Sequence, residues 1–583
     1  MNETSEVHCD VLVVGTGAAG MAAALTARKQ GLEVLVVEKQ PVFGGSTALS
    51  GGFLWVPCNP LARRAGITDS SEAARRYVQG EAGAHFDGPR VDAFLRHAPE
   101  MVEFFERETS VRFVLGAGFP DYHAEADGAS MGGRPIFPEP YDARELGRHA
   151  ALLAPPIRGM TFVGLTFGSG PDMRHFLNAL RSVTSAWYTA KRLVKYGWDL
   201  VLHGRNMRLF NGAALAARLY KSLLDFDIPV WLDAPVTELL IDGPRVRGAL
   251  VTREGSRVRV HAKRGVVLAT GGFPSDFSRR QQVFPHAPSP TEHLTMAPAA
   301  NTGDGLRLAE AIGGQTDMSF PNLGSWMPVS HVPLGRGRTT RITHIMDRSK
   351  PGIIAVRADG RRFTNEGANY HEFGAAIIAG RQPTYLIASH DALRRYGLGF
   401  AKPFPVPLFP YLRSGYLTRG ATLEQLASKA GIDAQGLVQA VARFDESASA
   451  GTDPEFHKGE SAYERFQGDP NHAPNPCVGP VGAGPYYAVR IMPGDIGTFG
   501  GLQTDDSARV LDARGQPIAG LYAVGNDMAS IFGGSYPGGG ATLGPGMTFG
   551  YIAGRHLASK PGRAGSFVPR AEQPVDAEPE LVR

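Results

Sequence analysis

The chain reads as α/β, and three stretches lead to that reading. The first is Asp10 to Glu38, where an apolar run, Val11 to Val14, meets Gly15-Thr16-Gly17-Ala18-Ala19-Gly20. The second is Val266 to Gly272, an apolar strand ending in Ala269-Thr270-Gly271-Gly272. The third is Gly520 to Gly554, a strand, a glycine-rich loop and a helix close to the C-terminus.

In the first stretch, Gly15, Gly17 and Gly20 allow a tight turn, backbone approach to a pyrophosphate and close packing of helix on strand. Met21 to Lys29 continues as a helix, and Glu33 to Val37 is a second strand ending at Glu38. An acid there accepts bonds from a ribose hydroxyl pair. Lys39 to Gly52, KQPVFGGSTALSGG, follows as a second loop rich in glycine and hydroxyls. Asp69 to Phe113 carries apolar residues at helical spacing, and Gly116 to Gly133 is turn-rich and holds Tyr122 and His123.

Leu146 to Asn211 changes character, with a long helix expected from Met173 to Leu202 and a stop at Gly204. Trp187, Tyr188 and Trp198 lie among Lys191, Arg192, Lys195, Arg205 and Arg208. Such a segment is a surface helix packed on the body, an element lying on a membrane surface, or a lid over a substrate channel. Leu215 to Leu224 is then a helix, Ile228 to Asp242 a strand pair, and Arg245 to Gly272 a hairpin feeding the strand from Val266 to Ala269. A less regular lobe runs from about Trp326 to Met492, with two short helices between Ala421 and Ala450.

Composition sets limits on function. The 583 residues are 43% hydrophobic and 20% charged, with a net charge of +4, which gives no reason to expect nucleic acid as a partner. Cys9, Cys58 and Cys477 are too few and too scattered for a disulfide framework or a zinc site, and no metal is expected. The polar N-terminus lacks a basic stretch ahead of its apolar run, and no run of about 18 apolar residues occurs. A cytoplasmic location is the expectation, with membrane association open through 173–208.

These motifs resemble the fumarate reductase/succinate dehydrogenase flavoprotein superfamily. The resemblance rests on the Gly44-Gly45-Ser46 and Ser50-Gly51-Gly52 steps, the Ala269 to Gly272 turn, Asn301-Thr302-Gly303-Asp304-Gly305, and Gly360 to Glu366 (GRRFTNE). It implies a two-dinucleotide-binding FAD domain, discontinuous, with an inserted α+β catalytic cap. The expected division is 1–145, 211–325 and 493–562 for the FAD domain, 146–210 for the insertion, 326–492 for the cap and 563–583 for a disordered tail. FAD would meet Gly15, Gly17, Ala18, Ala19, Gly20, Glu38, Lys39, Gly44, Gly45, Ser46, Thr47, Ser50, Gly51 and Gly52. Further along it would meet Val236, Ala269, Thr270, Gly271, Asp304, Gly525, Asn526, Gly540, Thr542 and Leu543. Covalently flavinylated members carry a histidine in the second loop; none lies between Lys39 and Gly52, so noncovalent FAD is expected.

Within the superfamily, the loop from Gly533 to Gly540 decides. Fumarate-type reductases place an arginine there to grip a dicarboxylate. This chain has Ser535-Tyr536-Pro537-Gly538-Gly539-Gly540, and no basic residue until Arg555. That Y-P-G-x-G pattern resembles 3-ketosteroid Δ1-dehydrogenases. The resemblance implies that Tyr536 and the Gly540 N–H hold the C3 carbonyl oxygen, Tyr370 removes the C2 proton, and Tyr122 bonds Tyr370 and helps its phenolate. The alternatives are a Δ4-(5α)-dehydrogenase and a flavin dehydrogenase of another apolar cyclic ketone. A quinone-like acceptor is expected, because no second GxGxxG element serves a nicotinamide.

Overall fold

The computed structural model describes residues 5–559, apart from 163, 169–171, 173, 174, 177, 178, 180, 181, 288, 290 and 405. The expected tail, 563–583, lies outside the described residues.

One sheet collects strands from the two ends and the middle of the chain. Its order is Arg509–Leu511, Pro517–Ala523, Arg245–Arg253, Ser256–Leu268, Ser5–Val14, Val34–Val37 and Val230–Trp231, with Val236–Asp242 added beside Arg245–Arg253. Val11–Val14 and Val34–Val37 are buried throughout, as strands covered on both faces must be. Val14 pairs in register with Leu268, and Leu268 with Ala523. The three glycine-bearing turns therefore leave the carboxyl ends of neighbouring parallel strands, the edge at which open α/β sheets bind ligands.

Two helices start from that edge and run together. Ala18–Lys29 packs on Leu543–Ala558. A Cβ at Gly550 would come within 2.4 Å of the Ala19 oxygen, and one at Gly554 within 2.7 Å of the Thr26 Cβ. Glycines four apart thus make the groove into which the first helix fits.

A second sheet is antiparallel at its centre, in the order Arg338–Thr343, Gly324–Gly335, Tyr486–Thr498, Thr384–Ser389 and Ile353–Arg357. Tyr486–Thr498 runs across the expected boundary at 492 and carries the chain back toward the first sheet. Helices Leu423–Ala430 and Ala434–Ala448 flank this lobe, separated by Gly431 in the left-handed region and opened by Asp433, which caps the Gly436 N–H.

Three expectations need correction. The strand pair from Ile228 to Asp242 is two strands that do not pair with each other: Val230–Trp231 joins Val34–Val37, and Val236–Asp242 joins Arg245–Arg253. The final strand of the hairpin is the end of one strand thirteen residues long, Ser256–Leu268. The long helix spans Val183–His203, not Met173 to Leu202, because Ser182 is extended and caps the Ser185 N–H; Met173 lies outside the described residues.

That helix is inside out. Its buried positions are Ser185, Arg192 and Asp199. Asp199 pairs with Arg144 and accepts the Met207 N–H at 3.2 Å, and Arg192 lies 3.5 Å from Asp172. Half a turn away, Val183, Trp187, Val194, Trp198 and Val201 face outward, with Trp187 74% and Trp198 63% exposed. No helix among the described residues is long and apolar enough to cross a membrane.

Candidate active site

The cofactor cradle is built by residues that only glycine can occupy and by hydroxyls that tie one loop to the next. Gly15 has φ +114°, and a Cβ there would sit 2.2 Å from the Ala269 oxygen. Thr47 Oγ1 accepts the Ala18 N–H at 2.9 Å, joining the second glycine loop to the first helix. Gly44, Gly45 and Gly52 all have positive φ. Ser50 Oγ donates to the Thr47 carbonyl at 2.8 Å and accepts the Gly52 N–H at 3.0 Å. Glu38 Oε2 accepts the Thr16 N–H and hydroxyl at 3.0 and 2.7 Å, while its Oε1 accepts the Gln40 N–H at 3.0 Å.

The remaining expected contacts fall in two places. Ala269, Thr270, Gly271, Gly525, Asn526, Thr542 and Leu543 gather at the strand ends beside the first loop, where Gly525 lies against Ala19. Val236 and Asp304 instead line a cavity of about 510 Å³ beyond Glu38. Lys39 bonds Thr302 Oγ1 at 2.9 Å and pairs with Asp304 across its edge. Two further residues position these turns, Asp527, which no sequence motif marks, and Asn301, which opens the Asn301 to Gly305 motif. Asp527, buried, accepts the N–H groups of Thr270 and Gly272 at 2.6 and 2.8 Å, and Asn301 donates to Ser46 Oγ at 2.9 Å and to the Gly271 carbonyl at 3.1 Å.

The arrangement suits FAD. Two helix N-termini, at Ala18 and Leu543, converge on the glycine turns and favour a pyrophosphate. An acid stands at the ribose end, and side-chain-free turns leave room for a flat ring.

The three tyrosines come from three remote segments and meet in one buried group. Ring centroids are 5.5 Å apart for Tyr122 and Tyr370, 5.3 Å for Tyr370 and Tyr536, and 5.7 Å for Tyr122 and Tyr536. Tyr370 opens helix Tyr370–Gly380, capped by Asn369 Oδ1, which accepts the His371 and Glu372 N–H groups at 3.0 Å each. Tyr122 is held from both sides: its N–H donates to the Pro537 carbonyl at 2.9 Å, and Asp121 accepts Trp55 Nε1–H at 2.7 Å and pairs with Arg134 at 2.6 Å. Gly540 needs its φ of +99°, since a Cβ would lie 2.5 Å from the Phe53 carbonyl.

Electrostatics distinguish the phenols. Burial raises all three, and Tyr370 is pushed well above the ordinary tyrosine value by burial and then by Tyr122 and Tyr536. Hydrogen bonding with Tyr122 and Tyr536 adds to the effect of burial, because it favours the protonated phenol of Tyr370. Tyr536 is treated differently, because Tyr370, Thr542 and the Gly540 N–H all bond to its hydroxyl and favour its anion. His371 stays neutral, lowered by burial to about 4, and its ring accepts the Trp326 N–H at 3.1 Å and donates to the Gly534 carbonyl at 3.2 Å.

Sequence reading missed Tyr463, whose buried ring lies 4.6 Å from that of Tyr122. It sits on the short helix Ala462–Gln467, and no motif marks it. One turn on, Phe466 meets Phe119 at 4.8 Å, and Phe119 and Phe53 lie 5.4 Å apart. A Cβ at Gly539 would touch the Phe119 ring at 3.4 Å. An aromatic wall therefore borders the tyrosines, and its outermost member, Phe466, is 48% exposed.

The chain is similar to several known proteins over nearly its whole length. The FAD binding domain family matches residues 10–543. A 4-oxocyclohex-2-ene-1-carboxylate 5-dehydrogenase of Sinomonas cyclohexanicum is 42% identical over 564 residues, covering 96% of this chain and 95% of that one. A 3-oxosteroid 1-dehydrogenase of Mycobacterium tuberculosis is 38% identical over 578 residues, covering 95% and 99%. A crystal structure of 3-ketosteroid Δ1-dehydrogenase from Sterolibacterium denitrificans, in complex with 1,4-androstadiene-3,17-dione, gives a TM-score of 0.86 at 37% identity, over 94% of this chain and 99% of that one.

Proposed function

The chain belongs to the FAD binding domain family, and on that footing we propose that it is a 3-ketosteroid Δ1-dehydrogenase, introducing a C1–C2 double bond into an apolar 3-ketosteroid. It is an FAD-dependent oxidoreductase of the 3-oxosteroid 1-dehydrogenase type. The observation that carries the substrate reading is the juxtaposition of three buried tyrosines with Gly540 behind the wall of Phe53, Phe119 and Phe466.

In this reading the Tyr536 hydroxyl and the Gly540 N–H grip the C3 carbonyl oxygen. The Gly540 N–H stands beside the Tyr536 hydroxyl and bonds it, and charge that develops on a carbonyl oxygen bound between them would be met by groups fixed in advance. The grip acidifies the C2 hydrogen, and Tyr370 takes it as general base. Tyr370 lies at the N-terminus of its helix, where the dipole favours a negative charge. Bound FAD supplies the acceptor for the hydride leaving C1. The cofactor is held without a covalent bond by the residues of the three turns, and a quinone-like molecule takes the electrons onward. The first sheet and its helices form the FAD domain, and the second sheet forms the catalytic cap.

A second reading rests on the relative from Sinomonas, whose substrate by name is a ring ketone bearing a carboxylate. Desaturation beside a ring ketone would be common to both substrates. The wall favours the steroid, since Phe53, Phe119 and Phe466 offer apolar surface and no charge to a distal carboxylate. The steroid relatives are named for the 1-position, which favours Δ1 over Δ4-(5α) chemistry.

Anaerobic addition of androst-4-ene-3,17-dione to the flavin-loaded protein should bleach the flavin absorbance, with the product's new double bond located at C1–C2 by mass spectrometry. Bleaching by 4-oxocyclohexanecarboxylate and not by the steroid would move the assignment to the second reading. No bleaching with either would sink both.

The inside-out helix Val183–His203 is proposed to rest on a lipid surface, with Trp187 and Trp198 at the interface and Lys191 and Lys195 toward anionic headgroups.

A further inference from the structure

Each of the three site tyrosines is flanked by a residue of a second, polar network that no motif announces. His123 follows Tyr122. Its Nδ1 bonds Glu81 Oε1 at 2.6 Å, and its Nε2 bonds Glu372 Oε1 at 2.5 Å. Asn369, the residue before Tyr370, lies 3.3 Å from His123 Nε2 through its side-chain nitrogen, and its Oδ1 caps the helix that carries Glu372. Ser535, the residue before Tyr536, donates to the other oxygen of Glu81. Glu81 itself stands on helix Ser71–Ala82, whose Tyr77 hydroxyl accepts the His123 N–H at 3.3 Å and donates to the Pro537 carbonyl at 2.7 Å.

We propose that His123 is a positioning residue for the dehydrogenation: held between Glu81 and Glu372, it fixes Tyr122, Tyr370 and Tyr536 relative to one another across the two lobes. The inference rests on the dehydrogenase reading for its effect on rate, and on geometry alone for its effect on the tyrosines.

The physical case lies in connectivity and charge. Tyr122 and Tyr536 belong to loops, which set side-chain positions poorly by themselves, and Tyr370 starts a helix of the other lobe. Phenol rings contact one another without direction; two short ion-paired bonds on one imidazole define both distance and angle. Burial alone would lower His123, but its bonds to Glu372 and Glu81 outweigh that and raise it to about 10. The imidazolium therefore donates from both nitrogens at neutral pH, which a neutral ring cannot do, and Asn369 belongs to the clasp through its Oδ1 cap on the helix of Glu372 and not through a bond to Nε2. Glu372 is 48% exposed at its side chain while Glu81 is nearly buried, so the network reads as an outer clasp on the buried phenols.

The test compares flavin-loaded wild type with His123→Gln and Glu372→Gln. Stopped-flow reduction by androst-4-ene-3,17-dione should slow about tenfold or more in the limiting rate, while the apparent dissociation constant changes less than about threefold. Because the two residues act through one clasp, the double variant should be no slower than the slower single variant. Amide exchange, read on the same proteins without substrate, should quicken at Tyr122, whose N–H is bonded to the Pro537 carbonyl, and at 534–536, with the melting temperature nearly unchanged. If His123→Gln does not fold, Glu372→Gln, on the exposed side, carries the test. Unchanged exchange and an unchanged limiting rate would overturn the proposal. A wild type that no ketone bleaches would end the dehydrogenase reading and leave the exchange result to judge the clasp.

Discussion

Tyr370 sets two requirements against each other. A general base must lose its proton, yet burial and two neighbouring phenols hold this hydroxyl well above the ordinary tyrosine value. The groups facing it are Tyr122 and Tyr536, with neutral His371 against Tyr536 and the His123–Glu372 pair on the neighbouring segments. Only a small fraction is phenolate at neutral pH, and below the pKa that fraction grows about tenfold per pH unit. The limiting rate of flavin bleaching should accordingly climb by about that factor per unit between pH 7 and 9. Tyr370→Phe should lose roughly 10²- to 10⁴-fold in that rate, the usual contribution of a positioned base, with little change in substrate affinity. A flat profile, or a phenylalanine variant of wild-type rate, would remove Tyr370 from the role.

The same residue shows where sequence reading works. Tyr370 follows the GRRFTNE motif and Tyr536 lies in Y-P-G-x-G, so the family resemblance marked both, whereas Tyr463 and the acid partners of His123 carry no local signal. Their meaning exists only once remote segments are packed, and a lone tyrosine on a six-residue helix looks like any core aromatic. The glycine turns were legible for the opposite reason. Gly15, Gly52 and Gly540 are required by clashes with backbone only about 2 to 3 Å away, a constraint that leaves its mark on the chain itself.

At the next level up, the GRRFTNE segment earns its form through charge. Arg362 bonds Asp453 through two nitrogens at 2.8 and 2.7 Å and Glu366 at 3.2 Å, while Lys458 meets Glu366 at 3.2 Å. All four side chains are buried, and Lys458 also donates to the Ile353 carbonyl at 2.6 Å. Buried ions are costly to strip of water, so a network with matched signs is tolerated but a broken one is not. It pins the turn that delivers Asn369 and Tyr370. Removing one partner, as in Asp453→Asn, should cost about 3–5 kcal/mol and be read as a fall in the denaturation midpoint. A midpoint equal to wild type would show that the network is not what holds this turn. The helix Val183–His203 was misplaced at its start for a related reason: composition gave the amphipathic pattern, but the cap at Ser182 decides the first residue.

For the molecule as a whole, the outward apolar face of that helix stands on a segment that reaches both sheets. The insertion is rooted in the cofactor loop, where the Phe43 N–H donates to the Leu152 carbonyl and the Ala154 N–H to the Phe43 carbonyl at 2.8 and 3.0 Å. Its other end touches the second sheet, where the Gly159 N–H donates to Thr340 Oγ1 at 3.0 Å. A segment tied to both lobes thus presents Val183, Trp187, Val194, Trp198 and Val201 outward, while its charges satisfy one another inside. Buried against acyl chains, these side chains would gain about 25 cal/mol per Å² of apolar area, and each nearby lysine about 1 kcal/mol at an anionic surface. A steroid partitions into the same phase, so a contact there would shorten its path to the aromatic wall. The protein should sediment with vesicles containing anionic lipid, less so as salt rises through the screening of Lys191 and Lys195. Exchanging Trp187 and Trp198 together for serine should weaken that sedimentation about tenfold or more, while bleaching by a steroid kept in solution stays as in wild type. Vesicle binding that ignores the double exchange would detach the helix from the membrane role and leave it as a lid.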